Sequence, residues 1–286
     1  MPEFRCAGRL TEIAASGGSR RGPSGLCSGS LWSEALDIIK SSRTIAVVSG
    51  FYVMSAKAPE TDGPTGSVVL ARTLRRLGYE AEIWVDFRCA DVYVSCAKPA
   101  GFPAEYVRDV SRGTGGAEHP DLLIYIERLG RASDGAYYDM RGADVSSVTC
   151  PLDEFALQGR SRVIGIGDGG NEVGMGNYRE ALSEIMRGYG NCISVVGADV
   201  CIPVDVSNWG AYALAAALSI DSGEWAAQSA EEETAMLEAL CAAGAVDGVS
   251  KKSGMSVDGF GLEKQLEVCS SLRSLFEDDQ ARRYPE

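Results

Sequence analysis

Residues 162–176, RVIGIGDGGNEVGMG, decide the fold. A short run of Val and Ile stops at a glycine-rich loop that carries Asp168, Asn171 and Glu172. Buried strands of a parallel sheet read as apolar runs of this kind. A strand that ends in glycine and polar residues opens onto the edge where α/β sheets bind ligands. The same grammar repeats outward in both directions. TIAVVSGF (44–51), AEIWVD (81–86), DLLIYIER (121–128) and NCISVVG (191–197) read as further strands. Between and beyond them, helical spacing is read in LWSEALDIIKSS (31–42), SVVLARTLRRLG (67–78), PAEYVRDVSRG (103–113) and LDEFALQG (152–159). It recurs in YREALSEIMRGYG (178–190), NWGAYALAAALSI (208–220), EEETAMLEALCAAGAVDG (231–248) and GLEKQLEVCSSLRSLF (261–276). DGAYYDMRGADVS (134–146) reads as a hairpin. This alternation predicts an α/β fold, a three-layer α/β/α sandwich around a mostly parallel sheet, in one catalytic domain over 31–286. Residues 1–30, rich in Gly, Ser and Arg, are expected to be an irregular segment.

Composition narrows the function. The net charge is −13 and the basic residues are scattered, whereas a nucleic-acid backbone needs them clustered. No nucleic-acid partner is expected. The longest apolar stretch, 211–220, falls far short of the roughly 20 residues of a membrane span. Nine cysteines without a C-x-x-C pair read as small buried hydrophobes in a reducing compartment, so an intracellular rather than secreted protein is expected. An Arg-rich start is compatible with a mitochondrial transit segment, with the cytoplasm as the alternative. The single histidine, His119, excludes multi-histidine metal sites within the chain and leaves acid–base work to Asp and Glu. His119 itself reads as a loop residue before Pro120.

The carboxyl edge of the sheet is where the oxygen ligands gather. PETDGPTG (59–66) brings Glu60 and Asp62, the 81–86 strand ends in Asp86, and Glu127 follows the next. Asp168, Asn171 and Glu172 follow RVIGIG, and Asp205, Ser207 and Asn208 come after the last strand. Oxygen-rich sites of this type suit Mg²⁺ or Mn²⁺, with Ca²⁺ as a further option. Glu60, Asp62, Asp168 and Glu172 are the candidate metal ligands, though Asp62 also suits a helix cap. Thr61 and Gly63 precede a helix whose N–H groups suit an anion. Arg128 and Arg141 are candidates to hold a substrate carboxylate, surface ion pairs being the alternative reading. Asn171 completes the oxygen set, and Asn208 serves either a substrate or a helix end. Gly165 to Gly170 fits G-x-G-x-x-G, but Asp168 inside the turn repels a pyrophosphate and no acid stands about 20 residues on. NAD is therefore not an expected cofactor.

PETDGPTG, IERLGRASDGAYYDMRG (126–142), IGIGDGGNEVGMG (164–176) and SNWGAYALAAAL (207–218) together resemble the D-glutamate cyclase family, with AGAVDGVS and SVDGF adding to the likeness. The likeness runs from about residue 20 to 275, and Ser49 stands where a threonine is usual. It implies an α/β/α fold, a mitochondrial setting in eukaryotic members, and conversion of D-glutamate to 5-oxo-D-proline and water. In that chemistry Glu127 would take the ammonium proton, with Asp168 and Glu172 completing the catalytic set. The substrate would be a small molecule, an amino acid or small anion, and homo-oligomerisation stays open. Two other readings fit the same cluster: a metal-dependent phosphatase or hydrolase, and a non-catalytic sensor of metal or amino acid.

Overall fold

A computed structural model of the protein describes residues 4–18, 22–115, 119–188 and 190–283. Strands β1 (Thr44–Ser49), β2 (Tyr52–Val53), β3 (Ala58–Pro59), β4 (Glu80–Val85) and β5 (Val107–Asp109) occupy the first half. β6 (Leu122–Ile126), β7 (Arg162–Gly167), β8 (Val200–Pro203), β9 (Ser256–Val257) and β10 (Phe260–Gly261) follow. The helices are α1 (Ala7–Ala14), α2 (Ser30–Lys40), α3 (Pro64–Arg76), α4 (Ala90–Ala97) and α5 (Glu154–Leu157), then α6 (Arg179–Ile185), α7 (Ser207–Ser222), α8 (Ala230–Ala242) and α9 (Leu262–Arg283).

Six strands form one parallel sheet in the order β5-β4-β1-β6-β7-β8. The pleat sends alternate residues to opposite faces. Ile45 and Val47 join a large cluster with Val69 of α3 and Leu214 of α7, while Ala46 and Val48 join a second one with Leu152 and Val163. The first face is thickly covered and the second thinly, by α5, α6 and connecting loops. This is the expected three-layer α/β/α sandwich. From β1 the chain runs outward through β4 to β5, then returns to the other flank of β1 with β6, β7 and β8. The reversal leaves a crevice between the carboxyl ends of β1 and β6, the point at which open sheets of this kind bind ligands.

Three expectations need correction. The N-terminal segment is not irregular throughout: Ala7, Leu10, Ile13 and Ala14 of α1 form one apolar stripe buried in the main core. Its residues 1–3 and 19–21 lie outside the described ones. The helix expected over 103–113 is a single 3₁₀ turn followed by β5, which pairs Val107 with Ile83 and Asp109 with Val85 at the sheet edge. The strand expected in NCISVVG is a loop. Ile193 and Val196 are buried there, but Ser194 N and Val195 N donate to Gly170 O and Arg131 O of other loops, and β8 begins only at Val200. Helix α4 was not foreseen. The expected hairpin at 134–146 is present, with an antiparallel bridge between Tyr138 and Asp144.

Candidate active site

The crevice is built by residues far apart in sequence. Asp62 ends the loop before α3, and its carboxylate accepts the N–H groups of Ser207 (2.9 Å) and Asn208 (2.8 Å) at the start of α7. Asn208 answers with its side-chain oxygen, which accepts Gly63 N (3.0 Å) and Gly66 N (2.8 Å) at the start of α3. Each helix dipole thereby ends beside the cluster, which favours negative charge there. Gly63 is held at φ +102, and a β-carbon on it would meet Ser49 Oγ and Tyr93 Oη at 3.0 Å and Glu127 Cβ at 3.2 Å. Only glycine fits this position.

Glu127 follows the last residue of β6 at φ +45, a left-handed conformation that costs a non-glycine residue energy and recurs at functional sites. Its Oε2 accepts the Ser207 hydroxyl at 2.6 Å. Burial pushes its pKa well up, and the carboxylates of Asp62, Glu172, Glu60 and Asp258 push it further. Glu172 folds back on its own loop, where its oxygens accept the N–H groups of Gly169 (2.7 Å), Gly170 (2.6 Å) and Asp168 (3.3 Å). The N–H groups that a dinucleotide loop would aim at a pyrophosphate are thus spent on a carboxylate.

Two sets of buried carboxylates each bring one oxygen per residue to within 4.8 Å of the others: Asp62, Asp168 and Asp258, and Glu127, Asp168 and Glu172. Asp168 belongs to both. All donors are hard oxygens, a set that fits Mg²⁺ or Mn²⁺. Asp62, Asp168, Glu172 and Glu127 therefore converge as the sequence suggested. Glu60 is in neither set. It sits beside them in the cleft wall against Gly248, where an added β-carbon would lie 1.3 Å from its Oε1. Asp258, not singled out from the sequence, takes its place. It is presented at φ +53 by the turn between β9 and β10, which Asp247 fixes by accepting Gly259 N at 2.7 Å.

Several expected substrate contacts are structural instead. Arg128 is 1% exposed and donates to Asp86 (2.7 Å), to Gly50 O (2.6 Å) and to Cys150 O, so it pins the loops behind the site. Thr61 donates its hydroxyl to Ser256 O at 2.8 Å and its N–H to Val246 O, stitching the late β9 segment to the crevice. Gly63 N and Gly66 N are already satisfied by Asn208, and the Asn208 amide nitrogen donates to Thr61 O. The Gly63 and Gly66 N–H groups at the start of α3 are thus already engaged by a side chain. Asn171 lines the cleft and anchors it, donating to Tyr138 O at 2.8 Å. Arg141 is exposed at the cleft, its Nη2 3.4 Å from Val249 O on the opposite wall. His119 meets Arg160 outside the site.

The cleft above the carboxylates measures about 490 Å³. Glu127 and Glu172 lie at its buried floor, and Arg141, Arg187 and Lys251 supply positive charge on its walls. Burial lowers the Lys251 pKa, Glu60 opposes that shift and Arg141 adds to it. Among the described residues, no helix is long and apolar enough to cross a membrane.

A family model described as "D-glutamate cyclase-like, C-terminal" matches residues 10–273. The mitochondrial D-glutamate cyclase of Homo sapiens is 34% identical in an alignment 220 residues long that covers 68% of this chain and 35% of that protein. The chain thus spans about a third of the length of this relative. Among solved structures, an exopolyphosphatase-related protein from Bacteroides fragilis aligns over 90% of this chain and 60% of its own at 12% identity and a TM-score of 0.46. RecJ from Thermus thermophilus, solved with Mn²⁺, aligns over 89% and 37% at 13% identity and a TM-score of 0.34. On the family match, which runs from α1 to the middle of α9, this chain belongs to the D-glutamate cyclase-like family.

Proposed function

We propose that the chain cyclises D-glutamate to 5-oxo-D-proline with release of water. The supporting observation is the placement of Glu127, strained and buried on the floor of the cleft with Asp168 and Glu172, beneath a wall of cations. In the reaction the α-nitrogen bonds to the γ-carbon, one γ-oxygen leaves as water, and the protons shed by the ammonium group move to that oxygen. Glu127 is the residue that passes them, because its carboxyl is held by Ser207 and shielded from bulk water. Arg141 and Lys251 hold the α-carboxylate and keep the substrate folded, which supplies rate through positioning. A divalent cation held by Asp62, Asp168 and Asp258, or by Asp168 and Glu172 in the neighbouring set, would polarise the γ-carboxylate as a Lewis acid.

The direct test is incubation of the purified protein with D-glutamate, with L-glutamate in parallel, in Mg²⁺ or Mn²⁺ and after chelation. Formation of 5-oxo-D-proline supports the proposal, and none with either metal defeats it. A second reading draws on the two oxygen sets that share Asp168, an arrangement suited to a pair of metals and to phosphoester hydrolysis. Release of phosphate from a generic aryl phosphate, with no turnover of glutamate, would select it. Nine unpaired cysteines suit a reducing compartment such as the mitochondrial matrix or cytoplasm.

A further inference from the structure

We propose that the cleft also accepts γ-D-glutamyl amides of apolar amines and cyclises them to 5-oxo-D-proline with release of the amine. The inference rests on the cyclase reading above and extends its substrate class.

Size is the first reason. At about 490 Å³ the cleft falls within the range of roughly 300–1,000 Å³ that encloses drug-sized ligands. A free glutamate is much smaller and occupies only the floor.

The second reason is the change of chemistry with depth. Glu127, Asn171 and Glu172 at the floor are 6%, 3% and 1% exposed. At the mouth stand Met54, Ile185 and Val249, exposed by 36%, 45% and 46%. Six large hydrophobics are exposed among the described residues, and these three all line this one cleft. Exposed apolar side chains are unremarkable when scattered and informative when gathered at a binding site. Glutamate is charged at both ends and gains nothing from them. An apolar group attached to the γ-carbon, the atom nearest the carboxylates, would run outward along this wall. Met140 and Met186 lie between floor and mouth, and their unbranched side chains adapt to varied shapes. The wall thus selects apolar character rather than one particular amine.

The reaction closes without any added reagent. The α-nitrogen forms its bond to the γ-carbonyl carbon and the γ-carbon–nitrogen bond breaks. Two protons leave the α-ammonium and end on the departing amine, which exits as an ammonium ion. Water is neither consumed nor released.

The experiment compares D-glutamate, D-glutamine and γ-D-glutamyl isobutylamide with the purified protein in Mg²⁺ or Mn²⁺, following 5-oxo-D-proline and free isobutylamine together. The expected result is a kcat/KM for the isobutylamide at least about tenfold above those of both other substrates, the scale on which apolar walls discriminate. Val249→Ser and Met54→Ser should each shrink that advantage, mostly through KM. Turnover of D-glutamate with an isobutylamide value no higher overturns the inference and leaves the cyclase reading standing. Absence of 5-oxo-D-proline from all three substrates overturns both.

Discussion

Asp62 and Asn208, 146 residues apart, each cap the helix that the other begins. Both are buried, so the N–H groups they satisfy have no water to turn to. Asn208→Ala would take from Gly66 N its side-chain acceptor, whereas Gly63 N keeps Asp62 Oδ1 at 3.0 Å. The expected loss is about 2–3 kcal/mol, from a lost cap and one buried donor left unpaired. Urea unfolding measures it. A loss below roughly 0.5 kcal/mol would mean that the loop relaxes to find other partners.

Ligand and proton carrier should separate by mutation. Asp168 belongs to both oxygen sets, so in Asp168→Asn both metal-induced thermal stabilisation and turnover should collapse. Glu127→Gln should keep most of the metal-induced shift while turnover falls roughly 10²–10⁴-fold. Equal loss of the shift in both variants would make Glu127 a metal ligand.

Two arginines read alike in the sequence should behave differently. Asp86→Asn leaves Arg128 charged and buried without its counter-ion, at a cost of about 3–5 kcal/mol. Arg141→Ala, at an exposed position, should alter stability by less than about 0.5 kcal/mol but raise the KM for D-glutamate. Denaturation curves beside steady-state kinetics distinguish the two roles. Unchanged KM in Arg141→Ala would remove it from the substrate site.

Stability should also depend on a carboxyl remote from the cleft. Glu233 is fully buried in α8, with its oxygens 2.9 and 2.8 Å from the Tyr212 hydroxyl, and burial raises its pKa to about 7. Below pH 4.5, the ordinary value, folded and unfolded chains both carry the proton and there is no penalty. Between there and about 7 the unfolded chain ionises first, so this group's contribution to stability is lost as pH rises. Glu233→Gln removes the ionisation and keeps an acceptor for Tyr212. Its gain over the parent should be on the order of 2 kcal/mol larger at pH 8 than at pH 5.5. A gain that does not vary with pH would refute the assignment.

The central strands were legible because Val47, Val48, Ile124 and Ile164 sit in short apolar runs, each ended by glycine or a charge. Their loops showed most of the carboxylates for the same reason. Residue 128 was misread because neighbours at the end of a strand point apart: Glu127 faces the cleft while Arg128 turns to Asp86. Asp258 was missed because it comes from a two-residue-strand hairpin late in the chain, with no apolar run before it to mark a sheet edge. NCISVV has the composition of a strand but is a loop with Ile193 and Val196 buried, and only its tertiary hydrogen bonds distinguish the two.

The exchange of caps has a consequence for biosynthesis. A ribosome makes α3 long before it makes residue 208, and at about 5–20 residues per second the intervening 146 residues take roughly 7–30 s. For that interval Gly66 N in the first turn of α3 lacks the Asn208 acceptor and Asp62 has no helix to receive it. The crevice cannot be completed until α7 emerges, so a chaperone that shields the nascent N-terminal half should raise the yield of active protein.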